Sequence, residues 1–201
     1  MHAFQLIVHA MREALTAELD SHVPADRVEA DALRSIREFL RAEPQPFSRK
    51  TLSGHITGSA IVVHVDGPEI LLVRHRKLNR WLQPGGHVHE HDASVLATAI
   101  RETQEETGHA AGITPWLDRI LHVDVHEIPV RPGEPAHLHY DIRYLLAAAR
   151  NSPRIPEEEI MQAEWFRELA LDALDLDASL KSAIASAMKH LKGWQMADGR
   201  W

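Results

Sequence analysis

Three glutamates, Glu102, Glu105 and Glu106, stand three and four residues apart within Arg101-Glu102-Thr103-Gln104-Glu105-Glu106-Thr107-Gly108. On an α-helix that spacing puts all three carboxylates on one face. Like charges so placed oppose the helix by a few tenths of a kcal/mol per exposed pair, and by about 2–3 kcal/mol per pair at partial burial. A divalent cation removes that cost. An all-oxygen donor set suits hard Mg²⁺ or Mn²⁺, which keep waters and take further oxygens from a substrate phosphate. A solvated helix face is the ordinary fate of a glutamate cluster. Just upstream, however, Trp81-Leu82-Gln83-Pro84-Gly85-Gly86 supplies a Gly-rich turn whose backbone can approach a ligand or metal closely.

A second group of residues is rich in imidazole. His122, Asp124 and His126 alternate with Leu121, Val123 and Val125, while His137, His139, Asp141 and Arg143 alternate with Leu138, Tyr140, Ile142 and Tyr144. Each run reads as a strand with one apolar and one His/Asp face, and pairing as a hairpin would set the polar faces side by side. Such a face either is solvated or lines a cleft for phosphate or a second metal. His87, His89 and His91 alternate in the loop before the helix and could reach the same cleft. Arg74-His75-Arg76-Lys77 is either a solvated basic turn or, through Arg74, a contact for an anionic substrate.

The elements that must position these groups follow from periodicity. Residues 4–19 and 25–41 carry apolar residues at helical spacing, the second with Pro24 suited to its first turn, and together read as a helical hairpin. Glu43-Pro44-Gln45-Pro46 ends it as a linker. Residues 55–65 and 69–73 are β-rich runs joined at Asp66-Gly67, and a short strand at Trp81-Leu82 leads into the glycine turn. A helix is predicted over 93–107, with Asp92 as N-cap and Gly108 at its end. Strands at 119–128 and 137–147, a short strand at Ala163–Phe166 and a helix at about 176–191 complete the chain. Strands around a central helix indicate an α+β or mixed α/β/α layering. The boundaries expected are 1–46 for the hairpin, 47–170 for the central domain and 171–201 for a C-terminal helix packed on it. Trp81 is expected to pack under the turn, and Trp165-Phe166 to belong to the core.

Composition narrows the class. With 201 residues the chain can bury a proper core, and its 44% hydrophobic and 25% charged residues are those of a globular protein. Its net charge of −7 argues against nucleic acid or an anionic membrane as the main partner. Protonating all 15 histidines would carry the charge to +8, so solubility and partner binding should depend on pH. The absence of cysteine excludes disulfides and thiolate chemistry and is compatible with a cytoplasmic location. Met1 to Ala10 lacks the basic region of a secretion signal, and no apolar run is long enough for a membrane span.

The segment GGHVHEHDASVLATAIRETQEETGH resembles the signature of the Nudix hydrolase family, G-x5-E-x7-R-E-U-x-E-E-x-G-U, where U is aliphatic. Arg101 to Gly108 fits at every fixed position of the R-E-x-x-E-E-x-G part. From Gly86 to Arg101 there is one residue more than the signature has. Asp92 best matches its first glutamate, His89 stands where many members have an acid, and Thr103 and His109 replace the aliphatic positions. The resemblance spans about residues 55–170 at fold level and is specific over 81–109. It implies a Nudix-type α/β/α sandwich with a mixed sheet, preceded here by the helical hairpin.

It further implies a Mg²⁺-dependent hydrolase, with Mn²⁺ a possible substitute, that cleaves the pyrophosphate of a nucleoside diphosphate derivative. By that resemblance Gly85 (through its carbonyl), Glu102, Glu105 and Glu106 hold the metal. Glu102 acts as general base toward a water that attacks phosphorus, with Glu105 and an orienting Arg101 also in the catalytic set. A further acid is expected among Glu158, Glu159 and Glu164. Arg74, His87, His126, His139, Asp141 and Arg143 are the candidate substrate-binding residues. The alternative is a nucleotide-binding module of the same fold that does not cleave, although such modules usually lose the three carboxylates kept here. An isomerase of this fold would need a cysteine, and a histidine-rich metal buffer would concentrate its histidines in one tract. The hairpin is expected to serve as a cap or a homodimer contact.

Overall fold

All eleven residues of β1 (Gly54–His64) are buried, as a strand with a layer on each face requires. The computed structural model describes residues 2–108, 112–131, 133–150 and 160–198. β1 is central in a seven-stranded sheet with β2 (Gly67–His75), β3 (Arg80–Leu82), β4 (Gly85–His87), β5 (Thr114–Ile128), β6 (His137–Ala148) and β7 (Ile160–Arg167). The order is β3-β2-β1-β6-β5, with β4 added beside β1 and β7 beside β2. β1 and β6 run parallel and the other pairs antiparallel, so the sheet is mixed.

Alternation along β1 divides the core in two. Ile56, Ala60 and Val62 turn toward Val95 and Ala99 of α3 (Val95–Thr107), while Ile61 and Val63 turn toward Leu180, Ala183, Ile184 and Ala187 of α5 (Ala178–Asp198). A one-turn helix, α4 (Glu168–Leu171), precedes α5. α1 (His2–Ser21) and α2 (Arg27–Ala42) lie on the α3 side, where Leu15, Leu19, Leu33, Ile36 and Leu40 join the same cluster as the sheet residues. Phe39 stacks on Tyr140 at 4.0 Å between ring centroids. Hence the apolar stripe of the hairpin finds its partner on the sheet of its own chain. Among the described residues no helix is long and apolar enough to cross a membrane.

Several element ends differ from the sequence reading. α3 is capped by Ser94, whose hydroxyl accepts from Ala97 N at 3.0 Å, rather than by Asp92, because Asp92 turns its carboxylate inward to Arg101. α2 is capped by Asp26, which leaves Pro24 outside the helix. β5 begins at Thr114, well before 119, and irregular pairing between Pro115 and His122 disrupts the alternation by which that stretch would be recognised. Gly108 closes α3 in a left-handed conformation (φ +69°), as expected. β5 and β6 do pair as antiparallel neighbours. Trp81 packs edge-on against Phe166 at 4.8 Å, while Trp165 and Phe166 serve opposite faces of the sheet. Glu158 and Glu159 lie outside the described residues.

Candidate active site

The helix that carries the glutamates is locked to the strand before it. Gly85 N donates to Glu106 Oε2 at 3.0 Å. Gly86 sits so close to Glu102 that a Cβ on it would lie 2.7 Å from the carboxylate carbon. Gly85 has φ +157°, and a Cβ there would meet Ser59 Cβ at 2.2 Å. Gly85 is therefore required by space and by conformation, whereas a methyl on Gly86 would displace the Glu102 carboxylate. Their service is to bring main chain directly against the carboxylates.

Arg101 gathers the acids. Its Nη1 bonds Glu102 Oε1 at 2.9 Å and Glu105 Oε2 at 3.0 Å. Its Nε and Nη2 grip both oxygens of Asp92, at 3.0 and 2.9 Å, and Nη2 also donates to the carbonyl of His87 at 2.8 Å. The hydrogen bonds to Asp92 hold the guanidinium's pKa above its already high value. Asp92 is buried, which would raise its pKa, but Arg101, His89 N and Thr98 Oγ1 outweigh that and hold it ionised. Burial pushes Glu102 upward, Arg101 opposes the rise, and the neighbouring charge of Glu105 adds to it. Glu102 is nearly enclosed, with 13% of its side chain exposed, whereas Glu105 is open at 55%. Three carboxylates, one of them reluctant to ionise, facing backbone held close by two glycines form an oxygen-donor set that fits a hard divalent cation.

The polar face predicted for β5 and β6 exists, and it looks away from α3. Thr57, on β1, pairs with His87 of β4 and with Asp141 of β6, and it alternates with Ile56 and Ala60, which face α3. Hence His87 and Asp141 share the α5 side. Asp141 is buried and accepts from Thr57 Oγ1 (3.0 Å), Ser59 Oγ (2.8 Å), Gln83 Nε2 (3.3 Å) and Arg143 Nε (2.9 Å). Arg143, also buried, uses its remaining nitrogens on Ser179 Oγ (2.8 Å) and Asp124 (3.3 Å). These two residues fix β1, β5, β6 and α5 to one another. His126 bonds Asp124 at 2.9 Å. Burial disfavours its charged form, yet that bond and the nearby carboxylates raise its pKa.

Beside this network His55, His87, His137 and His139 crowd together, with ring centroids 4.8–5.2 Å apart for each recorded pair. His126 lies 5.5 Å from His139. Both ring nitrogens of His55 and Nε2 of His87 are buried without a hydrogen-bond partner, each costing about 1–3 kcal/mol. Burial, reinforced by mutual repulsion, pushes the pKa of His55 down to about 3, His87 to about 4 and His139 to about 2. The sequence reading places His137 on the polar face of β6, outside the substrate-binding set, and does not single out His55. His137 shares the alternation of β6, but His55 reaches the group only through the parallel pairing of β1 with β6, where it stands opposite His139.

Two other candidates lie apart from the carboxylates. Arg74 donates to Asn79 Oδ1 at 2.9 Å and lies over the Trp81 ring at 5.9 Å. Glu164 pairs with Leu72, which packs toward α5, so its side chain is on the α5 face, where Gln162 donates to it at 3.0 Å.

β4 joins the two regions. Gly86 faces Glu102 of α3, and the next residue, His87, turns its ring into the histidine group while its carbonyl binds Arg101.

The NUDIX domain family matches residues 55–187, roughly two-thirds of the chain. No curated protein matches it. Among solved structures, an Ap4A hydrolase of C. elegans in a binary complex is similar at 17% identity and TM-score 0.54, over 69% of this chain and 98% of that one. The NUDIX domain of Shewanella oneidensis NrtR, complexed with ADP ribose, is similar at 18% and 0.51, over 77% and 97%. RenU, a Nudix hydrolase from M. smegmatis, is similar at 15% and 0.50, over 72% and 88%. At these identities the likeness concerns the fold.

Proposed function

The chain belongs to the NUDIX family of pyrophosphohydrolases, and on that premise we propose that it cleaves the pyrophosphate linkage of a nucleoside diphosphate derivative by attack of water on phosphorus. The observation that carries this reading is the set of Glu102, Glu105 and Glu106 on one face of α3, gathered by Arg101 against Gly85 and Gly86. Those three carboxylates, with the Gly85 carbonyl, would hold Mg²⁺ or, in its place, Mn²⁺. Bound there, the cation would neutralise phosphate charge and lower the pKa of a water.

The chain's own groups do the rest. Glu102 has Oε1 bonded to Arg101, and its enclosed carboxyl has a raised pKa, so Oε2 is the acceptor for the proton of the attacking water. Arg101 is a positioning residue, because every one of its bonds goes to an acid or to the backbone of the loop. Substrate groups beyond the phosphates pass over β4 toward His87 and His126. Asp141 and Arg143 hold that surface in place from beneath.

The test is phosphate release, coupled to a phosphatase, from a panel of nucleoside diphosphate derivatives with and without Mg²⁺ or Mn²⁺. ADP ribose and Ap4A belong in it, since one protein of this fold is complexed with the first and another is named for the second. Metal-dependent cleavage of one class of linkage is expected. Silence across the panel, together with nucleotide binding by calorimetry, would replace hydrolysis by a binding role.

A further inference from the structure

Five histidines from four strands meet on the sheet face opposite α3, and the hydrolysis proposed above has no use for most of them. We propose that His55, His137 and His139 form a binding site for one zinc-class divalent transition-metal ion, separate from the carboxylate site on α3.

Their ligating nitrogens all lie within 4.8 Å of one another. Nε2 of His137 and Nε2 of His139 are 3.3 Å apart. Zinc–imidazole bonds of about 2.0–2.1 Å at a tetrahedral angle separate two ligand nitrogens by about 3.3–3.4 Å. One edge of the coordination polyhedron is therefore already at the right length. The third nitrogen, on His55, lies within 4.8 Å of both and closes the set by rotation of its side chain.

The tautomer of His137 is set for ligation as well. Nδ1 of His137 donates to the carbonyl of Pro135 at 3.0 Å, which places the proton on Nδ1 and the lone pair on Nε2, facing His139. His55 is 1% exposed, and neither of its nitrogens has a protein partner. A neutral ring always carries one N–H and one lone pair, so such burial leaves two unmet demands, of which an ion answers the lone pair.

Donor chemistry separates this site from the one on α3. Imidazole nitrogen suits zinc, nickel, copper or ferrous iron, whereas Mg²⁺ prefers oxygen. Glu134 Oε1 lies 3.9 Å from Nε2 of His137, so a carboxylate stands beside the site and favours a cation there. Three ligands leave a fourth position open, and the ring of His87, whose Nε2 is buried without a partner, packs 4.9 Å from that of His55. An ion here would pin β1 to β6, next to the β4 strand that abuts the carboxylates of α3.

The experiment uses the full chain, stripped with a chelator and titrated with Zn²⁺ by calorimetry in excess Mg²⁺, which occupies oxygen sites. One equivalent of Zn²⁺ should bind, with a rise in Tm. His139→Ala should weaken that binding by more than the roughly 10–100-fold that loss of a supporting contact produces. The double variant Glu105→Gln, Glu106→Gln should retain it. Absence of stoichiometric binding, or its loss in the glutamine variant and not in His139→Ala, would overturn the site. If His139→Ala does not fold, long-range ¹H–¹⁵N spectra of the unaltered chain decide. Zn²⁺ should shift the ring nitrogens of His55, His137 and His139, and shifts confined to other histidines would refute the assignment.

Discussion

Arg101 and Asp92 meet through two parallel bonds, Nε to Oδ1 at 3.0 Å and Nη2 to Oδ2 at 2.9 Å. The pair closes the loop between β4 and α3, and the same guanidinium reaches Glu102 and Glu105 on its other side. Asp92 is almost fully buried. Asp92→Asn keeps the shape but removes the charge that Arg101 opposes. It should destabilise the fold by about 2–4 kcal/mol, below the cost of breaking a fully buried pair because Arg101 is partly exposed, and loosen the carboxylates enough to lower turnover. Urea denaturation and the coupled phosphate assay read the two effects, and an unchanged midpoint would contradict the anchoring role.

The helical carboxylates should behave in the opposite way. Glu106 is fixed to Gly85 N, and Glu105 is an open side chain paired only at one edge with Arg101. Glu105→Gln and Glu106→Gln each remove one like charge from a crowded face. Without metal the fold should be unchanged or stabilised by a few tenths of a kcal/mol. Turnover should fall by about two orders of magnitude or more and the Mg²⁺ requirement should rise. Activity that survives both substitutions would remove the site from α3.

The two glycines make a paired prediction. Gly86→Ala sets a methyl group against the far end of Glu102, which can swing aside, so stability should change by less than about 1 kcal/mol while activity collapses. Gly85→Ala sets its methyl into Ser59 at a positive φ of +157°, where no side chain can yield cheaply. That variant should lose more than about 2 kcal/mol. Thermal melts of both, beside their rates, distinguish a displaced carboxylate from a damaged sheet.

What could be read from the sequence was the local part. Arg101 to Gly108 announces its helix, its acidic face and its αL end within eight residues, because i, i+4 spacing and a C-terminal glycine are short-range properties. The alternation of β6 gave its polar face for the same reason. The histidine group was legible in part. His137 and His139 share a strand, but His55 joins them only through a parallel register that crosses most of the domain. The cap of α3 is ambiguous in the sequence because Asp92 and Ser94 are both good caps, and a tertiary bond to Arg101 makes the choice. The start of β5 was missed because its bulges erase the period that identifies a strand.

The hairpin rests on one buried acid, and this gives it a pH dependence of known sign. Glu29 accepts from Ala25 N at 2.6 Å and Val123 N at 3.0 Å, and pairs with His22 Nε2 at 2.8 Å. Burial would raise its pKa, but the bonds to His22, Ala25 and Val123 outweigh that and hold it below the ordinary 4.5. An acid whose pKa is lowered by folding contributes its full stability above the unfolded value and loses it as pH falls through the folded one. Docking of α2 on β5 should therefore be insensitive to this group at neutral pH and weaken progressively below about pH 4.5. Glu29→Gln cannot accept with a charge and should cost about 2–4 kcal/mol at pH 7, with the gap to the unaltered chain shrinking on acidification. Hydrogen exchange at Val123 N and in α2, measured from pH 7 to pH 3, reads the docking directly. A gap that stays constant over that range would show that the charge of Glu29 does not hold the hairpin.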